Sequence, residues 1–374
     1  MFERILVPLD GSKGSERAVP VAARIARSSG GTIVLISVVL PPVEFGTYTA
    51  ERTVPLKPSA FERRVAKAAD YLAAITETYA SDLMGIDTEM DVAAGAASPM
   101  IYSAARLEGV DLIVLCSHEE GGLKRWVFGS IAHEALRHSP VPVLVLNEHN
   151  EHGVVPSPSD ATYPLRILVP LDGSALSETA LLPAAQLIAV NAHVEGFLKY
   201  VLANHWNPQL FATITAPLQG EVHLLRVVDL HSVYGKLKSQ AHITDVMQEE
   251  ARREEEQEAE RYVKSLTERC ETAFAGFNLK VSSSVAVSEN VAETIVKEAE
   301  QTRDAGSSTG YDMIAMTTHG KGALQRLFMG SVTQHVLDTT KLPLLIVRPQ
   351  QAETGGKGRG DTLQVEVKTW TELP

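Results

Sequence analysis

The residues best suited to chemistry in this chain fall in two short stretches. The first is Pro8-Leu9-Asp10-Gly11-Ser12, which recurs as Pro170-Leu171-Asp172-Gly173-Ser174. The second is Thr317-Thr318-His319-Gly320-Lys321-Gly322, which runs on to Gly330-Ser331-Val332-Thr333. An aspartate just past a strand can accept hydrogen bonds from a base or a ribose, and Gly-Ser after it lets the chain turn into a helix. The same aspartate can equally serve only as a cap for that helix, and the residues alone do not choose between the two. In the second stretch, glycines let backbone N–H groups approach phosphate oxygens closely. The Gly-Ser step then opens a helix whose unpaired amides favour an anion. Ser331 and Thr333 add hydroxyl donors. Without further support, a glycine-rich loop with an ordinary Ser N-cap accounts for the same residues.

Other chemistries leave no trace. The chain has no G-x4-G-K-[S/T] phosphate loop and no G-x-G-x-x-G fingerprint after a strand. It has no G-x-S-x-G nucleophile elbow, and its cysteines, Cys116 and Cys270, form no C-x2-C metal pair. His118 and His319 occupy equivalent loop positions, where a role in stabilising the loop or flanking a phosphate fits better than catalysis. No acid–nucleophile set stands beside either. Lys321 reads as an exposed lysine that can screen phosphate charge.

The elements that must position these residues come from an internal repeat. The string ILVPLDGS stands at Ile5–Ser12 and again at Ile167–Ser174, an offset of 162. Ser15-Glu16 then matches Ser177-Glu178, and Ala22-Ala23 matches Ala184-Ala185. Near the end of each copy Gly129-Ser130 pairs with Gly330-Ser331, and Pro142 with Pro343, at an offset of 201. Thr32–Val39 aligns with Glu221–Val228 at offset 189, so an insertion of 27 residues enters the second copy between its first helix and second strand. Ile101 aligns with Ile295 at offset 194, and the rest of the difference falls in Gln301–Gly310. This is a duplicated domain and not a solenoid.

Within a copy, Ile5–Leu9, Ile33–Val39, Leu112–Leu115 and Val143–Leu146 are β-branched or Leu-rich, as strands buried on both faces should be. Glu16–Ala26 and Phe61–Tyr79 carry apolar residues at helical spacing. The alternation predicts parallel sheets with helices on both faces, and in such sheets ligands bind outside the carboxyl ends of the strands. The charged run Glu249–Leu266 reads as the solvated face of a second helix. The expected organisation is a first domain at 1–147, a linker at 148–163, a second domain at 164–349 with the insertion at about 190–218, and a mobile tail at 350–374. Emerging after a helix that runs back from the carboxyl edge, the insertion is expected at the amino edge, where it serves packing or assembly and not gating. Its Phe197, Tyr200, Trp206 and Phe211 need burial somewhere.

Composition limits the partners. A formal net charge of −12 disfavours nucleic acid and anionic membranes, so an anionic ligand must be held by local amides. No apolar run is long enough to span a bilayer. Two cysteines and an early strand-like run, Ile5-Leu6-Val7, favour a reduced, cytoplasmic protein without a signal peptide.

The combination of ILVPLDGS, THGKGALQRLFMGSVTQHVL and a final Leu-Pro-Leu-Leu-Ile-Val strand resembles the universal stress protein family, in both copies. The resemblance implies two tandem α/β domains of flavodoxin-like, adenine nucleotide alpha hydrolase-like fold, each with a five-stranded parallel sheet. It also implies a ligand, ATP or the related ADP or AMP, with Mg2+ as an optional companion of the phosphates. Nucleotide-binding members carry G-x2-G-x9-G-[S/T]. The second copy matches its last two elements at Gly320 and Gly330-Ser331, with Thr317 in place of the first glycine. By this resemblance Pro170, Leu171, Asp172 and Val227 face adenine and ribose. Gly320, Gly330, Ser331, Val332 and Thr333 hold the phosphates, with Met316 and Thr317 leading into the loop.

The first copy has Cys116 and Glu119 at the first two glycine positions, so a carboxylate stands where phosphate would lie. Its Pro8, Leu9, Asp10, Val38, Gly129 and Ser130 form a weaker or silent site. The family resemblance further implies pairing of domains through their last strands, here Val141–Leu146 with Leu342–Val347 as an internal pseudo-dimer, with a homodimer as a further assembly. The implied role is a stress-response sensor or switch and not an enzyme. The alternatives are a structural or interaction member without nucleotide, and a slow ATPase or self-phosphorylating protein acting at Ser331 or Thr333.

Overall fold

The computed structural model describes residues 2–41, 59–116, 134, 137–146, 165–192, 220–237, 244–277, 279–300, 310–319 and 329–349. Strand β1 (Arg4–Pro8) shows how the architecture follows from residue type: Ile5, Leu6 and Val7 are all fully buried, so helices must cover both of its faces. Strands β2 (Thr32–Val39), β4 (Leu112–Cys116) and β5 (Val143–Leu146) are equally apolar, and β3 (Asp87–Ala94) closes the edge. The second copy repeats the set as β6 (Arg166–Leu171), β7 (Gly220–Asp229), β8 (Leu279–Ser288), β9 (Met313–Thr317) and β10 (Leu344–Val347).

All ten strands join one sheet in the order β3-β2-β1-β4-β5-β10-β9-β6-β7-β8. Every pairing is parallel except β5 with β10, which run antiparallel with Leu345 opposite Leu144. The last strands of the two copies therefore make the expected internal junction. Strand β5 has the bounds read from the sequence, and the paired segments are each two residues shorter than Val141–Leu146 and Leu342–Val347, because they start after Pro142 and Pro343, which lack the N–H a ladder needs. Their carbonyls still accept from Ile113 and Ile314 at 3.0 and 3.1 Å.

Side-chain alternation divides the core. Ile5, Val7, Ile33 and Leu35 pack with α2 (Ala18–Ser29) and α3 (Ala60–Thr78), whereas Leu6, Val34 and Ile36 pack with α5 (Ala97–Leu107). In the second copy, α7 (Leu181–Ala192) and α9 (Asp245–Ala273) cover one face, and α10 (Val291–Glu300) and α11 (Ser331–Thr339) the other. Helices α2 and α7 also pack against each other, so the two copies share a helical layer as well as the sheet. The first helix of each copy is broken, into α1 (Lys13–Glu16) and α2, and into α6 (Ala175–Glu178) and α7. Pro20 and Pro183 lie just beyond the breaks, where a continuous helix would need their missing N–H groups. A short α4 (Ala80–Leu83) follows α3, which opens on a capping box between Ser59 and Glu62.

In α9 the buried residues Ala259, Val263, Leu266 and Cys270 make one stripe. Exposed Arg253 pairs with Glu249, as expected of a solvated face, whereas half-buried Arg252 continues the line of the stripe and pairs with Glu249 and Glu256. Helix α8 (Leu230–Leu237) packs on α9. Helix α7 runs on to Ala192 with Val190 fully buried, so the first residues assigned to the insertion belong to this helix. The rest of the insertion, the linker and the tail lie outside the described residues.

At the amino ends of β6–β8 a polar cluster fills the α10 side. Both His223 ring nitrogens meet hydroxyls, Ser282 at 2.7 Å and Ser284 at 2.8 Å. Glu221 takes Arg166 at 2.9 Å and Ser282 at 2.6 Å, Lys280 stands 3.9 Å away, and Arg166 lies over the Tyr311 ring. Burial, aided by Arg166 and Lys280 against the opposing pull of Glu221, holds the His223 pKa below its ordinary 6.5. Folded His223 therefore stays neutral where the unfolded chain takes up a proton. This contribution is complete above pH 6.5 and is lost as pH falls through that value towards the folded pKa. Chemical denaturation between pH 7.5 and 5 should show stability falling on acidification, with a shallower fall in His223→Gln. Glu221 is also lowered, because hydrogen bonds from Ser282 and Arg166 outweigh its burial. Its contribution disappears only in the more acidic window below 4.5.

Candidate functional site

Strand order reverses between β6 and β9, where the chain leaves β6 towards α6 and α7 on one face and β9 towards α11 on the other. The crevice between such divergent connections is where open parallel sheets receive ligands. The register pairs Leu171 with Arg226 and Leu168 with Ile314, which brings the carboxyl ends of β6, β7 and β9 side by side. Pro170, Leu171 and Val227 are buried there, Asp172 is half-buried, and Met316 and Thr317 end β9, also buried.

The choice between cap and ligand contact for the aspartate has a structural answer in part. The N-cap of α6 is Ser174, which accepts from the Ser177 N–H at 3.2 Å. Asp172 stands one step back, and its Oδ1 receives the Ser174 N–H at 2.9 Å and hydroxyl at 2.6 Å. The carboxylate thus shapes the turn instead of capping the helix. The first copy repeats this with Asp10, whose Oδ1 receives the Ser12 N–H at 2.9 Å, and with Ser12 as the cap. Asp10 is exposed, Leu9 buried, and Pro8 and Val38 half-buried.

On the other side, Gly330 is the N-cap of α11 and offers no side-chain cap. Its N–H donates to the Thr318 carbonyl at 2.9 Å, and Gln334 N–H closes the first helical turn on the Gly330 carbonyl. The amides of Ser331, Val332 and Thr333 are those a helix leaves without a ladder partner. Its φ of −60° suits any residue, and among the described residues a Cβ at this position would meet nothing nearer than the Thr318 carbonyl at 3.4 Å. Neither the backbone conformation nor packing against the described residues requires glycine here. The Ser331 side chain is exposed and Val332 half-buried, whereas Thr333 is buried and donates its hydroxyl to the Thr317 carbonyl at 2.9 Å. Thr333 can face a ligand through its backbone N–H, but its hydroxyl points inward.

Thr317 likewise donates inward, to the His319 carbonyl at 2.8 Å, and the Thr318 hydroxyl meets His319 Nδ1 at 2.8 Å. These bonds tie His319 to the end of β9; its two expected roles are stabilising the loop and flanking a phosphate. Gly320, Lys321, Gly129, Ser130, His118 and Glu119 lie outside the described residues, so the middle of both loops is not placed. Among the described residues no three His, Cys, Asp or Glu side chains gather to hold a metal ion, and nothing in them supports an Mg2+ site.

The structure adds one feature beside the site. Glu178, directly after the turn, is buried and receives the Tyr262 hydroxyl at 3.0 Å and Arg269 at 3.1 Å, both from α9. Glu16 is buried at the same place in the first copy, with Tyr71 of α3 at 3.4 Å and Lys13 at 2.7 Å. Burial, reinforced by the adjacent Glu16, pushes the Tyr71 hydroxyl up to about 12, and burial with Glu178 raises Tyr262 as well. Both phenols stay protonated and donate. Each copy thereby fastens its second helix to the base of the aspartate turn. The repeated Ser-Glu pair was the visible trace of this contact.

Comparison with known proteins agrees with this geometry. The universal stress protein family matches residues 1–147 and again 165–348. The universal stress protein Rv2005c of Mycobacterium tuberculosis is 24% identical over 242 residues, 64% of this chain and 62% of that protein's own length. The universal stress protein YxiE of Bacillus subtilis is 27% identical over 150 residues, 39% of this chain and 99% of YxiE. A crystal structure of a universal stress protein from Archaeoglobus fulgidus, 16% identical, superimposes with a TM-score of 0.57 over 93% of this chain and 99% of that one. A duplicated α/β domain, two matched aspartate turns and two family matches in tandem lead to one conclusion: this chain is a tandem member of the universal stress protein family.

Proposed function

We propose that this protein acts in a stress response by binding an adenine nucleotide, ATP or the related ADP or AMP, at the carboxyl edge of its second copy. The observation that carries the reading is Gly330. It is a glycine that neither its φ nor its surroundings among the described residues demand, and it opens a helix whose first amides have no side-chain cap from it. Asp172 stands across the same edge with a carboxylate suited to ribose hydroxyls, and Val227 and Leu171 supply apolar surface for a base. The first copy keeps the aspartate turn but has Glu119 at the loop position of Gly320, so its affinity is lower or absent.

The reading is one of binding and switching. Of the two hydroxyls that would sit nearest a phosphate, that of Thr333 is engaged with the Thr317 carbonyl, which leaves Ser331 as the only candidate acceptor of a phosphoryl group between them. Mass spectrometry of small molecules released by denaturing the purified protein should detect an adenine nucleotide or, for protein stripped and reloaded, added ATP. Release of no nucleotide in both cases would favour the structural or interaction alternative. Incubation with excess ATP should give neither ADP above the protein-free blank nor phosphorylated Ser331. Accumulating ADP would favour the slow ATPase.

A further inference from the structure

Arg226 is a half-buried cation at the carboxyl end of β7, in register with Leu171 of β6. Half-buried arginines usually face a carboxylate or phosphate. No carboxylate pairs with this one among the described residues. Instead its Nη1 donates to two backbone carbonyls, that of Leu171 at 3.4 Å and that of Val227 at 3.0 Å. Both carbonyls belong to residues assigned above to the base and ribose end of the ligand, and Asp172 follows Leu171 directly. One side chain thus ties together the two strand ends between which that end of the ligand would lie. The matching residue of the first copy is Ser37, whose short side chain cannot span two strands.

We infer that Arg226 is a positioning residue. It holds the ends of β6 and β7 so that Leu171, Asp172 and Val227 present a fixed surface to adenine and ribose. Its replacement by Ser37 adds to the difference between the two copies. This rests on the nucleotide reading above. A residue acting in this way should affect the base and ribose end alone, without regard to the phosphates.

The test uses the full chain with Arg226→Ser, the residue of the first copy, and Arg226→Lys, which keeps one donor group on a flexible stem. Amide hydrogen exchange at Asp172–Ser174 is measured without ligand, and affinities are measured for ATP and for adenosine. Arg226→Ser should speed exchange at these amides and weaken ATP and adenosine by the same factor, about tenfold. Arg226→Lys should recover part of both effects. Unchanged exchange and unchanged affinities in Arg226→Ser would overturn the inference. So would a loss confined to ATP, which would make Arg226 a phosphate contact. If the unaltered protein binds neither ATP nor adenosine, the nucleotide reading itself fails and takes the ligand role of Arg226 with it. That outcome is distinguished by the wild-type control.

Discussion

Replacing Gly330 by Val together with Ser331 by Ala is expected to lower ATP affinity at least tenfold, about 1.4 kcal/mol, while leaving the protein folded. Two effects act in the same direction. The branched side chain occupies the approach to the first amides of α11, and the lost hydroxyl removes a donor worth about 1.5–3 kcal/mol towards a charged acceptor. The fold should tolerate the change, because φ at Gly330 is −60° and, among the described residues, a Cβ there meets the Thr318 carbonyl at an ordinary 3.4 Å and the Thr333 hydroxyl at 3.9 Å. Adenosine, which has no phosphate, should keep its affinity. Calorimetry on the two ligands and circular dichroism on the variant make the check. Equal ATP affinity in a folded variant would place the phosphates elsewhere.

The second large effect falls on stability, at Gly220. A Cβ there would stand 2.3 Å from Ile188 Cγ2 and 3.0 Å from the Leu165 carbonyl. Its counterpart Gly31 would bring a Cβ within 2.7 Å of the Glu3 carbonyl. In each copy the start of the second strand passes so close to the start of the first that only hydrogen fits. Ile188 can shift its rotamer, but the Leu165 backbone is tied by the Glu221 N–H at 2.9 Å. Gly220→Ala should therefore destabilise by about 1–3 kcal/mol, the usual penalty of overpacking, seen as a lower denaturation midpoint. The site lies at the opposite edge of the sheet, so ATP affinity of the folded fraction should be unchanged. A midpoint equal to that of the unaltered protein would mean that β7 can move away from β6.

What was legible in the sequence, and what was not, follows from where information about a residue's surroundings lies. Central strands such as β1 and β9 are apolar on both faces and announce themselves. The edge strands β3 and β8 read Asp-Thr-Glu-Met-Asp-Val and Leu-Lys-Val-Ser-Ser-Ser, half-exposed sequences that resemble loops until they are paired. The aspartate turns and the Gly-Ser step were visible because ILVPLDGS is repeated. The clamp of Tyr262 on Glu178 was not, since the partners lie 84 residues apart and meet only when α9 packs on the sheet. Nothing in the aligned segment Glu221–Val228 singles out Arg226. Its role depends on the register that sets it opposite Leu171. The inward turn of the Thr333 hydroxyl is likewise a matter of rotamer, which spacing cannot report.

The central claim, that one copy of the duplicated domain binds an adenine nucleotide, is tested most directly by titrating ATP into the full chain in a calorimeter. The account predicts a single class of site with about one ATP per chain, and its loss in the Gly330→Val, Ser331→Ala variant. Two equivalent sites per chain, or a single site that survives in that variant, would contradict it.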